Sequence, residues 1–191
     1  EPSATALPRI ASQLGEFLRC LHDADSRTAV ALGLPETQED RPMARQREWA
    51  VADLSKVSAS RLRDKCASFL DDERNLPPEF EGALCVVHND LGHEHILLGH
   101  SQREPVAGVI DWSDMALGDP AQDFVGLWNW LDEASFEKAL SAYGRGLDRH
   151  FVDRVRYKGI CVAVGQWAYG CETGDTPYAE FGARTLERAL F

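Results

Sequence analysis

Two stretches with helical spacing of apolar residues enclose one stretch with strand-like spacing. Ile10, Leu14, Phe17 and Leu21 lie three or four positions apart, which predicts a helix over about residues 6–23. The same period predicts further helices over about residues 43–73 (one broken helix or two consecutive ones), 120–131, 134–144, 150–171 and 177–190.

Between these helical stretches, three short apolar runs contain β-branched residues. They cover residues 84–87, 96–98 and 106–110, and they predict short strands, the last two paired as a hairpin. The pattern therefore predicts an α+β fold that is mostly helical, with a small β patch at about residues 84–111. A length of 191 residues suits a single domain over residues 1–191.

The charge is acidic, and it is concentrated in one segment. The chain carries 31 acidic and 20 basic side chains, a formal net charge of −11. Residues 90–133 hold nine of the acidic residues and one basic residue, which gives this segment a net charge of −8. Such a balance excludes nucleic acid as a partner and favours a cationic substrate or a metal ion.

The lack of recognisable targeting signals and the spacing of the cysteines predict a cytoplasmic protein. No run of about 18 apolar residues predicts a membrane span, and the first residues do not have the pattern of a signal peptide. The five cysteines are scattered and form no CxxC pair, so we expect reduced, mostly buried thiols.

Polar side chains follow the predicted strands at residues 88–95 and 111–114. Rigid strands that end in short polar loops are a common way to present a functional site. We expect Asp90, His95 and Asp111 to converge there if the hairpin brings residues 95 and 111 side by side. Crowded carboxylates repel one another, so a metal ion or a cationic substrate explains them best.

Three ordered motifs resemble those of one family: HNDLGHEH at residues 88–95, IDW at 110–112 and GDPAQDF at 118–124. Together they resemble the C-terminal lobe of the aminoglycoside phosphotransferases, small-molecule kinases with a protein-kinase-like fold. The family usually has asparagine at the position of His95. Histidine occurs there in the branch that phosphorylates the 2″-hydroxyl of aminoglycosides, so the chain is most similar to that branch.

The resemblance implies a phosphotransferase that moves the γ-phosphoryl group of ATP or GTP to a hydroxyl of a small cationic molecule such as an aminoglycoside antibiotic. Asp90 would be the catalytic base, and Asp111 would bind Mg²⁺ with His95 at the second metal position. His88 and Asp123 would support the catalytic loop.

Six further residues are predicted to bind the substrate. They are Asn89, Glu94, Trp112, Asp114, Asp132 and Glu133. We expect Asp132 and Glu133 to lie at the C-terminal end of the helix that begins near Pro120. Carboxylates there would oppose the helix dipole, which argues against a purely stabilising role.

A kinase of this type also needs an N-terminal lobe with a phosphate-covering loop and a strand lysine. Neither is recognisable, since there is no GxGxxG motif and the lysines fall in predicted helices. We therefore expect this chain to be the C-terminal lobe of a longer protein and to be inactive when isolated from the N-terminal lobe.

Two other functions remain open from the sequence. A metal-dependent hydrolase would use the ligands His88, Asp90, His93, His95 and Asp111. A kinase-like binding module would hold cationic molecules without catalysis. Tightly bound zinc would favour the hydrolase, whereas magnesium binding that depends on nucleotide would favour the kinase.

Overall fold

The structure is a computed structural model, and it describes residues 6–35, 42–99 and 105–191. It confirms the predicted mostly helical α+β class. The helices are α1 Leu7–His22, α2 Ser26–Ala31, α3 Met43–Leu54, α4 Arg61–Asp71, α5 Val125–Trp130, α6 Glu133–Tyr143, α7 Phe151–Thr173 and α8 Thr176–Leu190. The strands are β1 Cys85–Val87, β2 Ile96–Leu98, β3 Val106–Val109 and β4 Ala116–Gly118, and short 3₁₀ helices cover Glu73–Asn75, His93–His95 and Pro120–Phe124.

The described residues form two compact units. The strand-bearing unit consists of those from residues 1–38 and 80–151, and it contains all four strands. The helical unit consists of those from residues 39–79 and 152–191.

In the strand-bearing unit, α1 packs closely against α6. Of the predicted apolar stripe of α1, Ile10 and Leu14 are fully buried, whereas Phe17 and Leu21 are partly exposed. Leu18, outside the predicted stripe, is also fully buried. Gly15 lies on the same face, where a Cβ atom would overlap the carbonyl oxygen of Ala139. This close approach explains why the helix carries glycine at that position despite its cost to helix stability.

The β patch consists of two antiparallel strand pairs. The predicted hairpin is present, with Ile96 of β2 opposite Val109 of β3. The sequence pattern did not predict β4, whose residue Ala116 pairs with Val87 of β1. The sequence of β4 is Ala-Leu-Gly, which lacks the β-branched and aromatic residues that mark strands. The patch therefore extends to Gly118, beyond the predicted end at residue 111.

The helical unit resolves the two possibilities for residues 43–73 in favour of separate helices, α3 and α4. The side chain of Ser60 accepts a hydrogen bond from the Arg63 N–H and starts α4. Asp175 starts α8 in the same way through the Tyr178 N–H. In the described ranges, no helix combines the length and the hydropathy that a membrane span requires.

Candidate functional site

Asp90, His95 and Asp111 lie together in the strand-bearing unit. Nδ1 of His95 donates to the carbonyl oxygen of Asp90 at 2.6 Å and lies 4.0 Å from Oδ2 of the Asp90 carboxylate. Nε2 of the same ring lies 3.6 Å from Oδ2 of Asp111. Both carboxylates are more than half exposed, whereas the His95 side chain is 16% exposed. One imidazole therefore lies between two accessible carboxylates.

The β2–β3 hairpin brings His95 and Asp111 side by side. His95 ends a 3₁₀ turn directly before β2, and its carbonyl oxygen accepts a hydrogen bond from the N–H of Ile110, which follows β3. This bond extends the ladder by one step and holds Asp111 beside His95. Because a carbonyl oxygen only accepts, the bond to Asp90 assigns the proton of the neutral ring to Nδ1 and leaves the lone pair of Nε2 toward Asp111.

Asp123 holds the backbone that leads to Asp90. The fully buried Asp123 carboxylate accepts the backbone N–H of His88 through Oδ2 at 2.9 Å and that of Asn89 through Oδ1 at 2.8 Å. Charged acceptors make the stronger class of hydrogen bond, so this carboxylate fixes the loop at two consecutive peptide groups.

A buried pair that the sequence analysis missed supports Asp123. His22 donates from Nε2 to Oδ2 of Asp123 at 3.0 Å, and its Nδ1 lies 2.8 Å from the hydroxyl of Tyr143. Burial raises the pKa of the Tyr143 hydroxyl well above its usual value, which keeps it a donor. The signal in the sequence was the position of His22 four residues after Leu18, on the buried stripe of α1.

His88 is buried, and both of its ring nitrogens are bonded. Nε2 donates to the carbonyl oxygen of Ile110 at 2.9 Å, and Nδ1 accepts the backbone N–H of Asp90 at 3.4 Å. The ring also packs on Trp112, with 4.7 Å between ring centroids. His88 thus ties the loop of Asp90 to the segment that carries Asp111.

Asn89 and Asp111 both have left-handed backbone conformations, with φ of 72° and 62°. Asparagine and aspartate tolerate this region better than other residues with a side chain. Asn89, one of the predicted substrate contacts, is buried, and its amide donates to the carbonyl oxygen of Asp114 at 3.0 Å, so it also connects the two loops.

Two other predicted substrate contacts are held by local interactions. The indole N–H of Trp112 donates to the carbonyl oxygen of Val109 at 3.0 Å, and its ring packs against His88 and Phe17. The Glu94 carboxylate lies 3.1 Å from Nδ1 of His93. The hydrogen bond with His93 lowers the pKa of Glu94 below its usual range.

The expected helix-end position of Asp132 and Glu133 was wrong. The helix α5 ends at Trp130, and Asp132 is the N-cap of α6, where its Oδ1 accepts the Ser135 N–H at 2.8 Å. Glu133 lies in the first turn of α6. Carboxylates at a helix N-terminus are favourable with the helix dipole, so both have a structural explanation.

The donor set at the site suits magnesium better than zinc. Over residues 6–35, 42–99 and 105–191, no cluster of three or more His, Cys, Asp or Glu side chains forms a metal site. Protein-bound Mg²⁺ commonly takes one or two carboxylates and completes its shell with water and phosphate oxygens, and the exposed Asp111 carboxylate could be one such ligand. The five-ligand hydrolase site is not assembled, because both nitrogens of His88 are already bonded.

The fold and the site together indicate the class of protein. The mostly helical fold with two antiparallel strand pairs matches the C-terminal lobe of a protein-kinase-like fold. Residues 1–160 match the phosphotransferase enzyme family APH, and the chain therefore belongs to this family. The resemblance seen in the sequence motifs is confirmed.

Two curated relatives share part of the chain. An uncharacterized protein, YcbJ of Bacillus subtilis (strain 168), is 30% identical over 114 residues, which are 59% of this chain and 35% of YcbJ. Viomycin phosphotransferase of Streptomyces vinaceus is 32% identical over 91 residues, which are 47% of this chain and 31% of that enzyme.

Solved structures share the fold over nearly the whole chain. The GDP complex of a mutant aminoglycoside 2′-phosphotransferase-IIIa has a TM-score of 0.71 at 23% identity, over 98% of this chain and 62% of that one. The GDP and kanamycin complex of APH(2″)-IIIa has a TM-score of 0.69 at 23% identity, over 99% of this chain and 64% of that one. The chain thus spans less than two thirds of the length of these relatives.

Proposed function

We propose that this chain is the C-terminal lobe of a nucleotide-dependent phosphotransferase that acts on a hydroxyl of a small cationic molecule, with an aminoglycoside as the substrate class. The observation that carries the proposal is the contact of one His95 imidazole with the carboxylates of both Asp90 and Asp111. A base for the hydroxyl and a carboxylate for the metal are the two protein groups that phosphoryl transfer needs on this lobe.

Asp90 would accept the proton of the substrate hydroxyl. Its carboxylate is 57% exposed, which leaves it accessible to a substrate, while the Asp123 and His88 hydrogen bonds hold the backbone on either side of Asn89. A base that is accessible and fixed in position favours attack on the phosphorus atom, since positioning supplies much of the rate in such reactions.

Asp111 would hold Mg²⁺, and the ion when bound would neutralise phosphate charge. The Nδ1–H of His95 is already committed to the Asp90 carbonyl, so the Nε2 lone pair of the neutral ring would accept a hydrogen bond from a metal-bound water. ATP and GTP remain alternative donors. A GDP complex among the solved relatives supports a nucleotide donor in general.

The acidity of the site segment supports a cationic substrate. Residues 90–133 carry a net charge of −8, and a field of this sign attracts polyamines. The remaining carboxylates on the two site loops are Asp114, three positions after Asp111, and Glu94, four positions after Asp90. The kanamycin complex of one relative supports aminoglycosides as the first class to test. Macrolides and choline-like amines are the competing classes.

The test uses the longer protein that includes the proposed N-terminal lobe. Purified protein is screened by thermal shift with ATP or GTP and then assayed for phosphate transfer to kanamycin, a macrolide and choline. We expect stabilisation and phosphorylation with the aminoglycoside, and loss of turnover by about 100-fold or more in Asp90→Asn and Asp111→Asn. The control Glu137→Gln removes an exposed charge on α6 and should keep activity.

Absence of stabilisation by any aminoglycoside, in protein that nucleotide does stabilise, would contradict the substrate assignment. Full turnover in Asp90→Asn would contradict the assignment of the base. The 191-residue chain alone serves as a further comparison, since we expect it to bind nucleotide weakly and to show no turnover.

A further inference from the structure

One face of the short helix α5 lies against the loop that follows Asp90. Gly126 and Trp130 are four positions apart on α5, so they lie on the same face of the helix. Gly126 meets the backbone at Leu91, and the ring of Trp130 meets the ring of His93. We call Gly126 and Trp130 the α5 face.

Gly126 allows α5 to approach the loop at backbone distance. A Cβ atom at this position would overlap the carbonyl oxygen of Leu91 and lie 3.0 Å from the Cα atom of Gly92. These are backbone atoms, which cannot turn away as the end of a side chain can. The Cα–H bond that takes the place of Cβ points at the Leu91 oxygen, as in a weak C–H···O hydrogen bond. Glycine destabilises a helix relative to alanine, and this close approach explains its presence here.

Trp130 holds the turn that grips Asp90. Its ring stacks on that of His93, with 6.1 Å between centroids and 29° between planes. His93 begins the 3₁₀ turn that ends at His95, and His95 donates from Nδ1 to the carbonyl oxygen of Asp90 at 2.6 Å. The stack therefore connects α5 to the peptide group of Asp90 through a single turn of backbone.

Residues 122–130 thus hold the loop on both sides of Asp90. Before Asp90, the Asp123 carboxylate accepts two consecutive N–H groups, and the amide of Gln122 donates to the carbonyl oxygen of Asn89 at 3.4 Å. After Asp90, the α5 face meets the loop. One continuous stretch of chain therefore sets the path of the backbone that carries Asp90.

We propose that the α5 face positions Asp90 for proton transfer from the substrate hydroxyl. The Asp90 carboxylate is 57% exposed, so its place depends mainly on the backbone that carries it. A misplacement of about 1 Å between reacting groups can lower turnover about 100-fold. Gly126 and Trp130 act through the loop and are positioning residues. The inference rests on the proposed function, in which Asp90 is the base.

The first test is Gly126→Ala in the longer protein, with kanamycin and ATP as substrates. The added methyl group must push the Leu91 backbone away, so we expect kcat to fall about tenfold or more. The KM for ATP should stay the same, since the nucleotide contacts are assigned to Asp111 and the N-terminal lobe.

The matched control is Gly182→Ala in α8 of the helical unit. A Cβ atom there would overlap the carbonyl oxygen of Ala163, so the control introduces the same kind of backbone clash away from the Asp90 loop. We expect Gly182→Ala to lower the melting temperature and to keep kcat. An equal loss of kcat in both variants would overturn the proposal, because general destabilisation would then explain it.

Trp130 provides a second pair of variants at a partly exposed position. Trp130→Phe keeps an aromatic ring for His93, whereas Trp130→Leu removes it. We expect Trp130→Leu to lower kcat about threefold to tenfold, the range that corresponds to the energy of an aromatic pair, and Trp130→Phe to keep most of the parent value. A higher KM for kanamycin at unchanged kcat would instead make Trp130 a substrate contact and overturn its positioning role.

Amide hydrogen exchange measures the loop without any reaction. Peptides that cover residues 88–95 should exchange faster in Gly126→Ala than in the parent and at the parent rate in Gly182→Ala. Unchanged exchange in a folded Gly126→Ala protein would overturn the proposal. If that variant does not fold, the Trp130→Leu and Trp130→Phe pair decides the question. Exchange needs no substrate, so failure of the loop contact and failure of the phosphotransferase assignment are distinguished.

Discussion

His22 donates a hydrogen bond to Asp123 across 101 positions of sequence, and Asp123 uses its two oxygens to accept the N–H groups of His88 and Asn89. The first helix of the chain is thereby connected to the loop that carries Asp90. Each of these groups is buried, so each bond is protected from exchange with water.

The His22 network makes a graded prediction for stability. His22→Leu leaves one Asp123 oxygen with one donor fewer in a buried site, and we expect a loss of about 1–3 kcal/mol in the free energy of unfolding. Tyr143→Phe removes the outer hydrogen bond alone and should cost about 0.5–1.5 kcal/mol. Urea unfolding followed by circular dichroism measures both, and a His22→Leu protein more stable than Tyr143→Phe would contradict this order.

The left-handed backbone of Asn89 predicts different stabilities for glycine and alanine variants at this position. At φ of 72°, a Cβ atom is strained, whereas glycine is not. Both Asn89→Gly and Asn89→Ala lose the amide bond to Asp114, so their difference isolates the backbone. We expect Asn89→Ala to be less stable than Asn89→Gly by about 1 kcal/mol in urea unfolding. Equal stabilities would show that the left-handed conformation carries no such cost.

The corrected position of Asp132 can be tested by its capping bond. As the N-cap of α6, Asp132 should tolerate serine, which keeps an acceptor for the Ser135 N–H. Asp132→Ala should lose about 1 kcal/mol of stability and Asp132→Ser much less. If both variants lost the same amount, the capping bond would not be what holds Asp132.

The buried and the exposed cysteines should differ in their reactivity toward an alkylating reagent. Burial raises the pKa of Cys66 to about 11 and those of Cys85 and Cys161 to about 12, so these thiols form little of the reactive thiolate near neutral pH. Cys20 and Cys171 are exposed. Iodoacetamide should therefore modify Cys20 and Cys171 in the folded chain at pH 8, and the other three after unfolding.

Peptide mass spectrometry after a short exposure measures this order of reaction. For the three buried thiols the folded-state pKa is raised, so their reactivity should increase only as the pH approaches those values or as the chain unfolds. Early modification of Cys85 or Cys161 in folded protein at pH 8 would show that these positions are accessible.

The sequence alone determined the features that depend on near neighbours. Apolar residues three or four positions apart predicted α1 and the helices after Pro120, because the period of a helix is local. The two short apolar runs at residues 96–98 and 106–110 predicted the β2–β3 hairpin for the same reason. The motifs around Asp90, Asp111 and Asp123 indicate the family, which the match over residues 1–160 confirms.

The tertiary structure decided everything that depends on distant backbone. It paired β4 with β1, and it gave Asp123 its two N–H donors and His22 as a third. It also brought Gly126 against the backbone of Leu91. Hydrogen bonds and close backbone contacts need groups within a few ångströms of each other, and residues 30 to 120 positions apart reach that distance only when the chain has folded.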